Sequence, residues 1–132
     1  MSTKGRVLVV EDDPSIAELL VYALEGEGYD VVPVGDGALA LAVITETVPD
    51  LVTLDLGLPG ISGEELLRAL RSDERTRRIP VIIVSANVDR MEKGDRELAA
   101  AVIAKPFDMS ELLEAILGIA RASAPARLFR EE

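Results

Sequence analysis

Polar residues that could act together on a phosphoryl group stand directly after short apolar runs of the sequence. They are, in chain order, Glu11 and Asp12, Asp55, Ser85 and Lys105. Three carboxylates in one place repel one another, which raises their pKa values unless a cation joins them. A lysine and a hydroxyl beside such a cluster could hold the equatorial oxygens of a phosphoryl group.

The ligand types in this set favour magnesium over other metals. The chain has no cysteine and no histidine, so thiolate sites, imidazole sites, disulfides and Ser-His triads are excluded. Carboxylate oxygens are hard ligands, and Mg²⁺ keeps several waters while taking one or two protein carboxylates. An aspartate can form an acyl phosphate when a metal and a lysine neutralise the incoming charge.

The apolar runs that precede these residues are rich in β-branched side chains, which is typical of strands buried on both faces. The predicted strands cover residues 7–10, 30–34, 51–54, 81–84 and 101–104. Five strands that alternate with helices predict an α/β fold with a doubly wound parallel sheet. Since the carboxyl ends of parallel strands meet at one edge, the polar residues should converge there.

Helical spacing and capping residues predict the connecting helices. Asp13 precedes Pro14 as an N-cap, and Ser62 with Glu65 matches a capping box. Two further predictions concern helix faces and limits. The inner face of the second helix is predicted to be Leu39, Ala42 and Val43, and a weakly periodic, charged helix is predicted from Asp89 to Leu98.

Length, charge and hydropathy restrict the class of protein. With 132 residues we expect one domain over 1–122, and residues 123–132 form a tail or the start of a linker. The formal charge of -10 argues against direct nucleic-acid binding, because phosphate contacts need cations. The first apolar run ends at Val10, which is too short for a signal peptide or a membrane span. We therefore expect a soluble, cytoplasmic protein without membrane contact.

Four strings of residues, in this order and spacing, resemble the receiver domain of bacterial two-component response regulators over nearly the whole chain. They are VLVVEDD at 7–13, DLVTLDLGLPGISG at 50–63, VIIVSA at 81–86 and AKPF at 104–107. Each string is weak alone, and together they are highly specific. The resemblance implies a flavodoxin-like, CheY-like fold with five helices around a five-stranded parallel sheet in the order 2-1-3-4-5.

The resemblance also implies a role for each site residue. Asp55 matches the phosphoacceptor, Ser85 the switch hydroxyl and Lys105 the lysine of the family. Glu11 and Asp12 match the acidic pair that organises Mg²⁺, with Asp12 the direct ligand. The last two ligands it implies are Asp55 itself and the backbone carbonyl of Gly57. Pro106 matches the proline whose preceding peptide bond is cis, and Asp13 is interpreted as a helix cap.

Some positions depart from the family pattern or vary within it. Val102 stands three residues before Lys105, where relatives often carry an aromatic ring that moves with the switch hydroxyl. Gly57 and Asn87 are at variable positions that influence how water reaches the phosphoryl group. Because Gly57 offers little shielding, we predict a short-lived acyl phosphate.

The function that follows is a phosphorylation-driven binding switch rather than an enzyme that turns over a substrate. A sensor histidine kinase or a histidine phosphotransfer protein would supply the phosphoryl group, and the domain would catalyse only its own modification and its reversal. The sequence does not identify the downstream protein partner, and homodimerisation through the last helix is common in the family. The chain either works alone or is a fragment of a larger DNA-binding regulator or hybrid kinase.

Three other classes fit the sequence less well. A haloacid dehalogenase-type phosphatase places its nucleophile after the first strand with a second acid two residues on, whereas Asp55 follows the third strand and is followed by Gly57. A flavodoxin-like cofactor binder needs a phosphate loop after the first strand, where Glu11 and Asp12 would repel phosphate. A pseudo-receiver that binds partners without phosphorylation would not need the complete set of site residues.

Overall fold

A five-stranded parallel sheet in the order β2-β1-β3-β4-β5 forms the centre of the molecule. The computed structural model describes the backbone of residues 4–131 and the side chains of residues 4–121. The strands are β1 (Arg6–Val10), β2 (Asp30–Val34), β3 (Leu51–Leu54), β4 (Val81–Ser85) and β5 (Ala101–Ala104). The helices are α1 (Pro14–Gly26), α2 (Gly37–Thr47), α3 (Gly63–Ser72), α4 (Lys93–Leu98) and α5 (Met109–Glu131). The predicted fold class and strand order are confirmed.

Two apolar layers cover the sheet, one on each face. Alternate residues of a strand point to opposite faces, so Leu8 and Val10 pack with α2 and α3, while Val7 and Val9 pack with α1 and α5. Strands β3 and β4 are buried along their whole length. The aliphatic runs of the sequence therefore supply both cores, and the polar chemistry is left to the strand ends.

Side-chain caps fix the starts of the helices nearest to the strand ends. The Asp13 carboxylate accepts hydrogen bonds from the backbone N–H groups of Ser15 (2.9 Å) and Ile16 (3.4 Å), as expected of an N-cap. Ser62 and Glu65 form the predicted capping box at the start of α3. These caps satisfy N–H groups that the first helical turn leaves without partners.

The predicted inner face of α2 is wrong for Leu39 and Ala42, which are exposed, whereas Val43 is partly buried and packs against the core. Gly37, Ala40 and Ile44 are the buried residues, whereas Leu39 is 56% exposed. The reason is the tight contact at the start of the helix, where a Cβ on Gly37 would clash with the Ile61 carbonyl. This contact fixes the rotation of α2 about its axis, and the apolar sequence pattern does not contain it.

The predicted charged helix from Asp89 to Leu98 is only partly present. A single 3₁₀ turn covers Val88–Arg90, and α4 has six residues. Polar contacts from α3 hold this short helix in place. The Arg68 guanidinium pairs with Asp95 at 3.1 Å, and Arg71 Nε donates to the Leu98 carbonyl at 3.0 Å. Apolar periodicity was weak here because these polar contacts replace much of the apolar packing.

Within the part of the chain that the structure describes, no helix is both long enough and apolar enough to cross a lipid bilayer.

Candidate functional site

The structure brings the predicted site residues together at the carboxyl edge of the sheet. Glu11 and Asp12 follow β1, Asp55 follows β3, Ser85 ends β4 and Lys105 follows β5. Parallel pairing of β1, β3, β4 and β5 in adjacent positions is what aligns these ends. Glu11, Asp55 and Ser85 are buried, while Asp12 is exposed to solvent.

The Lys105 ammonium lies between two of the carboxylates. Its Nζ donates to Glu11 Oε1 at 2.7 Å and to Asp55 Oδ2 at 3.1 Å. The lysine side chain is only 16% exposed, so water screens these pairs less than it would at the open surface. Lys105 therefore contacts Glu11, which lies 94 positions earlier in the chain, and Asp55, which lies 50 positions earlier.

Both oxygens of Glu11 are already engaged. Oε1 accepts from Lys105, and Oε2 accepts from the Asp13 backbone N–H at 3.1 Å. Asp12 has no such neighbour among the hydrogen bonds of the described residues, and its carboxylate faces solvent. The two adjacent acids thus have different environments, although the sequence gives them the same chemistry.

Asp55 and Ser85 form the floor of the site. Asp55 Oδ1 accepts from the Gly57 backbone N–H at 3.3 Å, and Ser85 is fully buried. Ser85 Oγ accepts from the Asn87 backbone N–H at 3.3 Å. The hydroxyl is therefore anchored to the loop that leads from β4 towards α4.

The burial and charges of the site shift three pKa values. Burial is the largest influence on Glu11, and together with repulsion from Asp55 it outweighs the hydrogen bonds from Lys105 and the Asp13 N–H, so the pKa of Glu11 is raised. Burial also raises the pKa of Asp55, but polar contacts with Ser85, Lys105 and Gly57 outweigh burial, and the result is a lowered pKa. Burial lowers the pKa of Lys105, but Glu11 and Asp55 raise it more. Asp55 is therefore ionised and Lys105 protonated at neutral pH.

The donor set suits a hard divalent cation. Glu11, Asp12 and Asp55 each offer one carboxylate oxygen, and these oxygens all lie within 4.8 Å of one another. Three carboxylates and one ammonium leave two negative charges without compensation. An ion with two positive charges and a preference for oxygen ligands, such as Mg²⁺, fits this arrangement.

The remaining predicted positions surround the site. Gly57 is exposed, and a Cβ on it would lie 3.7 Å from the Asn87 Nδ2 atom, so the two residues stand at the same entrance. The Lys105–Pro106 peptide bond is cis, as the resemblance implies. Val102 is partly buried and packs against the apolar cluster on the α3 side of the sheet.

Sequence reasoning missed the contribution of Gly63 to the site. A Cβ at this position would clash with the Asp55 carbonyl and lie 2.6 Å from Leu56 Cα. Only glycine lets the start of α3 approach the backbone of the phosphoacceptor candidate so closely. The available signal was a glycine directly after the Ser62 cap, where a helix former is normally preferred.

Comparison with known proteins identifies the family. The model of the response regulator receiver domain matches residues 7–117. The chain belongs to the response-regulator receiver family. MtrA of Mycolicibacterium smegmatis, named a DNA-binding response regulator, is 41% identical over 131 residues, which cover 98% of this chain and 53% of MtrA. The chain thus spans about half the length of such curated relatives.

Solved structures share the receiver fold. TrrA of Thermotoga maritima, a response regulator in complex with Mg²⁺ and a beryllium fluoride, is 33% identical with a TM-score of 0.78, covering 86% of this chain and 96% of that one. The receiver domain of a Pseudomonas aeruginosa sensor histidine kinase, with magnesium in its active-site cleft, is 32% identical with a TM-score of 0.73. That match covers 83% of this chain and 92% of the other.

Proposed function

We propose that this receiver domain accepts a phosphoryl group on Asp55 from the phosphohistidine of a sensor histidine kinase or a histidine phosphotransfer protein. The observation that carries the proposal is the contact of Lys105 Nζ with Asp55 Oδ2 at 3.1 Å, inside a cluster of three carboxylates. The ionised aspartate supplies the nucleophile, and the partly buried lysine beside it supplies a positive charge for the developing phosphoryl oxygens.

In the proposed step, an Asp55 carboxylate oxygen attacks phosphorus while the bond from phosphorus to the imidazole nitrogen breaks. The electron pair of that bond stays on the imidazole nitrogen, which is protonated from solvent. The new P–O bond is an acyl phosphate. Lys105 and the Ser85 hydroxyl then donate to the phosphoryl oxygens, and the Ser85 Oγ can do so while it still accepts from the Asn87 N–H.

Asp12, Asp55 and the Gly57 carbonyl are the proposed protein ligands for Mg²⁺. When bound, Mg²⁺ supplies the charge compensation that lets an anionic carboxylate approach an anionic phosphoryl group. Glu11 acts differently, because its two oxygens hold Lys105 and the Asp13 N–H. Its proposed role is to orient the lysine and to add negative charge to the metal site.

The proposed domain is a switch that catalyses only its own phosphorylation and dephosphorylation, and it changes protein contacts rather than converting a substrate. A cytoplasmic location and the absence of direct nucleic-acid and membrane contacts belong to this proposal. The proposal also includes a receiver unit over residues 1–122, a linker or tail beyond it, and the formation of homodimers.

For the whole protein, a second candidate function is transcriptional regulation. It is favoured by MtrA and by PhoB of Rhizobium meliloti, a transcriptional regulatory protein 37% identical over 123 residues, since the chain spans about half of each. In that case phosphorylation of Asp55 would control a DNA-binding part outside the present sequence.

The test is incubation with a small phosphoramidate donor and Mg²⁺, followed by intact mass measurement. We expect a gain of one phosphoryl mass in the parent, none in Asp55→Asn and an unchanged gain in Asp89→Asn, which has the same charge change at an exposed position. Circular dichroism checks the fold of each variant. A folded parent that gains no mass would favour a pseudo-receiver.

Decay of the acyl phosphate over many hours would contradict the predicted short lifetime.

A further inference from the structure

A cavity of about 830 Å³ lies at the amino edge of the sheet, at the end opposite to the carboxylate cluster. Its lining includes Lys4, Asp50 and Pro80, which stand shortly before β1, β3 and β4. Because parallel strands begin at the same edge, the length of β3, roughly 16 Å, separates this cavity from Asp55. The cavity is therefore distinct from the site of the proposed phosphoryl chemistry.

Small side chains on two neighbouring elements leave this space open. Ala100 and Ala101 stand at the start of β5, and Ala115 and Gly118 lie on α5, which contacts β5. A Cβ on Gly118 would point into open space, with nothing packed against it within 4 Å. Protein interiors are normally close-packed, and small-molecule sites occupy cavities of about 300–1,000 Å³. The size of the cavity therefore suits a small molecule.

The floor of the cavity is apolar, and its charges lie at the rim. Leu51 and Ile116 are buried, whereas Lys4, Asp50 and Arg78 are exposed. These three are the charged residues among the described residues of the lining. A ligand with an apolar body and one charged end matches this division, because its body would be removed from water while its charge stays at the surface.

The charges of the rim indicate the sign of that end. Lys4 and Arg78 against Asp50 leave one positive charge without compensation. Asp50 Oδ2 already accepts from the Arg6 backbone N–H at 2.8 Å. The Lys4 ammonium lies 5.8 Å from the centroid of the Tyr29 ring, a contact that keeps it beside the cavity. A ligand with a single negative charge would neutralise the rim.

We propose that this cavity binds an aliphatic carboxylate of roughly ten carbons, a size that such a cavity can enclose. Its chain packs on Leu51, Ala115 and Ile116, and its carboxylate lies between Lys4 and Arg78. A phosphate ligand fits less well, because phosphate groups bind at helix N-termini and the helices of the described chain begin beyond the opposite edge of the sheet. This ligand site goes beyond the proposed phosphoacceptor function.

The probe is decanoate, added to the full chain below the concentration at which it forms micelles and followed by amide chemical shifts. We expect shifts confined to the starts of β3, β4 and β5 and to the facing part of α5. Octanoate and hexanoate should bind more weakly, by about threefold for each methylene removed. Decylamine, which has a chain of the same length and a positive end, should bind several-fold more weakly than decanoate.

A leucine in the open space tests the position of the chain. Gly118→Leu places its side chain in the cavity, so it should abolish the binding of decanoate. Gly94→Leu is the matched control, because Gly94 also lies in a helix with open space beside it and is not part of the lining. Circular dichroism checks the fold of both variants.

Replacement of cations tests the position of the carboxylate. Lys4→Met with Arg78→Met should weaken binding several-fold. Arg90→Met with Lys93→Met, an equal charge change at exposed positions outside the lining, should leave it unchanged. This comparison and the chain-length series do not depend on the folding of the leucine variant.

Equal weakening by both pairs of cation variants, an affinity independent of chain length, or binding retained in a folded Gly118→Leu would each overturn the proposal. So would the absence of any shift with decanoate. Asp55→Asn should bind decanoate like the parent, so a failure of phosphorylation and a failure of carboxylate binding are distinguishable results.

Discussion

At the scale of single residues, the buried hydroxyl of Thr53 makes the clearest unfavourable contribution to the stability of the folded state. Thr53 is 1% exposed, and among the described residues its Oγ1 is the buried side-chain polar atom without a hydrogen-bond partner. It faces the apolar layer formed with β1 and β4, between Val9 and Ile82 in the sheet register. A buried polar group without a partner keeps its desolvation penalty.

We therefore predict that Thr53→Val stabilises the protein by about 1 kcal/mol, because valine has a similar shape and no polar atom to desolvate. Thr76→Val is the matched control. Thr76 is equally buried, but its Oγ1 donates to the Leu70 carbonyl at 2.7 Å, so its replacement should destabilise by about 1 kcal/mol or more. Chemical denaturation measures both, and a loss of stability in Thr53→Val would show that its hydroxyl has a partner.

Lys105 has two opposing effects at the site. In the proposed function it supplies positive charge for phosphoryl transfer, and its ion pairs with Glu11 and Asp55 also offset negative charge that would otherwise attract a metal ion. We predict that Lys105→Met reduces the phosphorylation rate by about a hundredfold or more and binds Mg²⁺ more tightly than the parent.

Calorimetric titration with Mg²⁺ and intact mass after phosphoramidate treatment separate these two effects of Lys105. Lys93→Met, an exposed lysine of α4, should change neither. Weaker Mg²⁺ binding in Lys105→Met would mean that the lysine organises the carboxylates more than it competes with the ion.

At the scale of elements, glycines decide how closely helices approach the strand ends. Gly63 begins α3 against the backbone of Asp55 and Leu56, whereas Gly94 lies in α4 with open space where a Cβ would be. We predict that Gly63→Ala destabilises by roughly 1–3 kcal/mol, because the clash is with backbone that cannot rotate away. Gly94→Ala should stabilise by roughly 0.5–1 kcal/mol through helix propensity.

Thermal or denaturant unfolding tests this glycine pair, and phosphorylation gives a second readout. Since the Gly63→Ala clash displaces the Asp55 backbone, it should also slow phosphorylation, while Gly94→Ala should not. Equal stability changes in the two alanine variants would mean that helix propensity, rather than the contact with Asp55, sets the effect.

The elements also show what the sequence could and could not predict. Strand positions followed from the aliphatic runs, and the chemistry followed from the polar residue after each run, since parallel strands align those ends. The rotation of α2 did not follow, because it depends on the contact of Gly37 with Ile61. The predicted helix from Asp89 to Leu98 is replaced by a 3₁₀ turn and the short α4, and α4 is held by Arg68 and Arg71, whose partners are 27 positions away in the sequence. Contacts of this kind leave no periodic signal.

At the scale of the whole molecule, the unevenly distributed negative charge should respond to cations in two separable ways. Salt screens the repulsion between charges, and Mg²⁺ binds at one site. Net charge of -10 makes the folded state repel itself, so sodium chloride should raise the melting temperature of every variant by screening. Mg²⁺ stabilises the protein differently, because it binds the folded state and not the unfolded state. At an Mg²⁺ concentration a hundred times the dissociation constant, this binding raises the free energy of unfolding by about 2.7 kcal/mol.

We predict that Mg²⁺, added at constant ionic strength, raises the melting temperature of the parent but not that of Asp12→Asn. Asp89→Asn carries the same charge change at another exposed acid and should respond like the parent. Sodium chloride should shift all three alike. Because screening depends on total charge and binding depends on the carboxylate cluster, an Mg²⁺ response retained in Asp12→Asn would remove Asp12 from the metal site. A response lost in Asp89→Asn would show that Mg²⁺ acts on net charge rather than at one place.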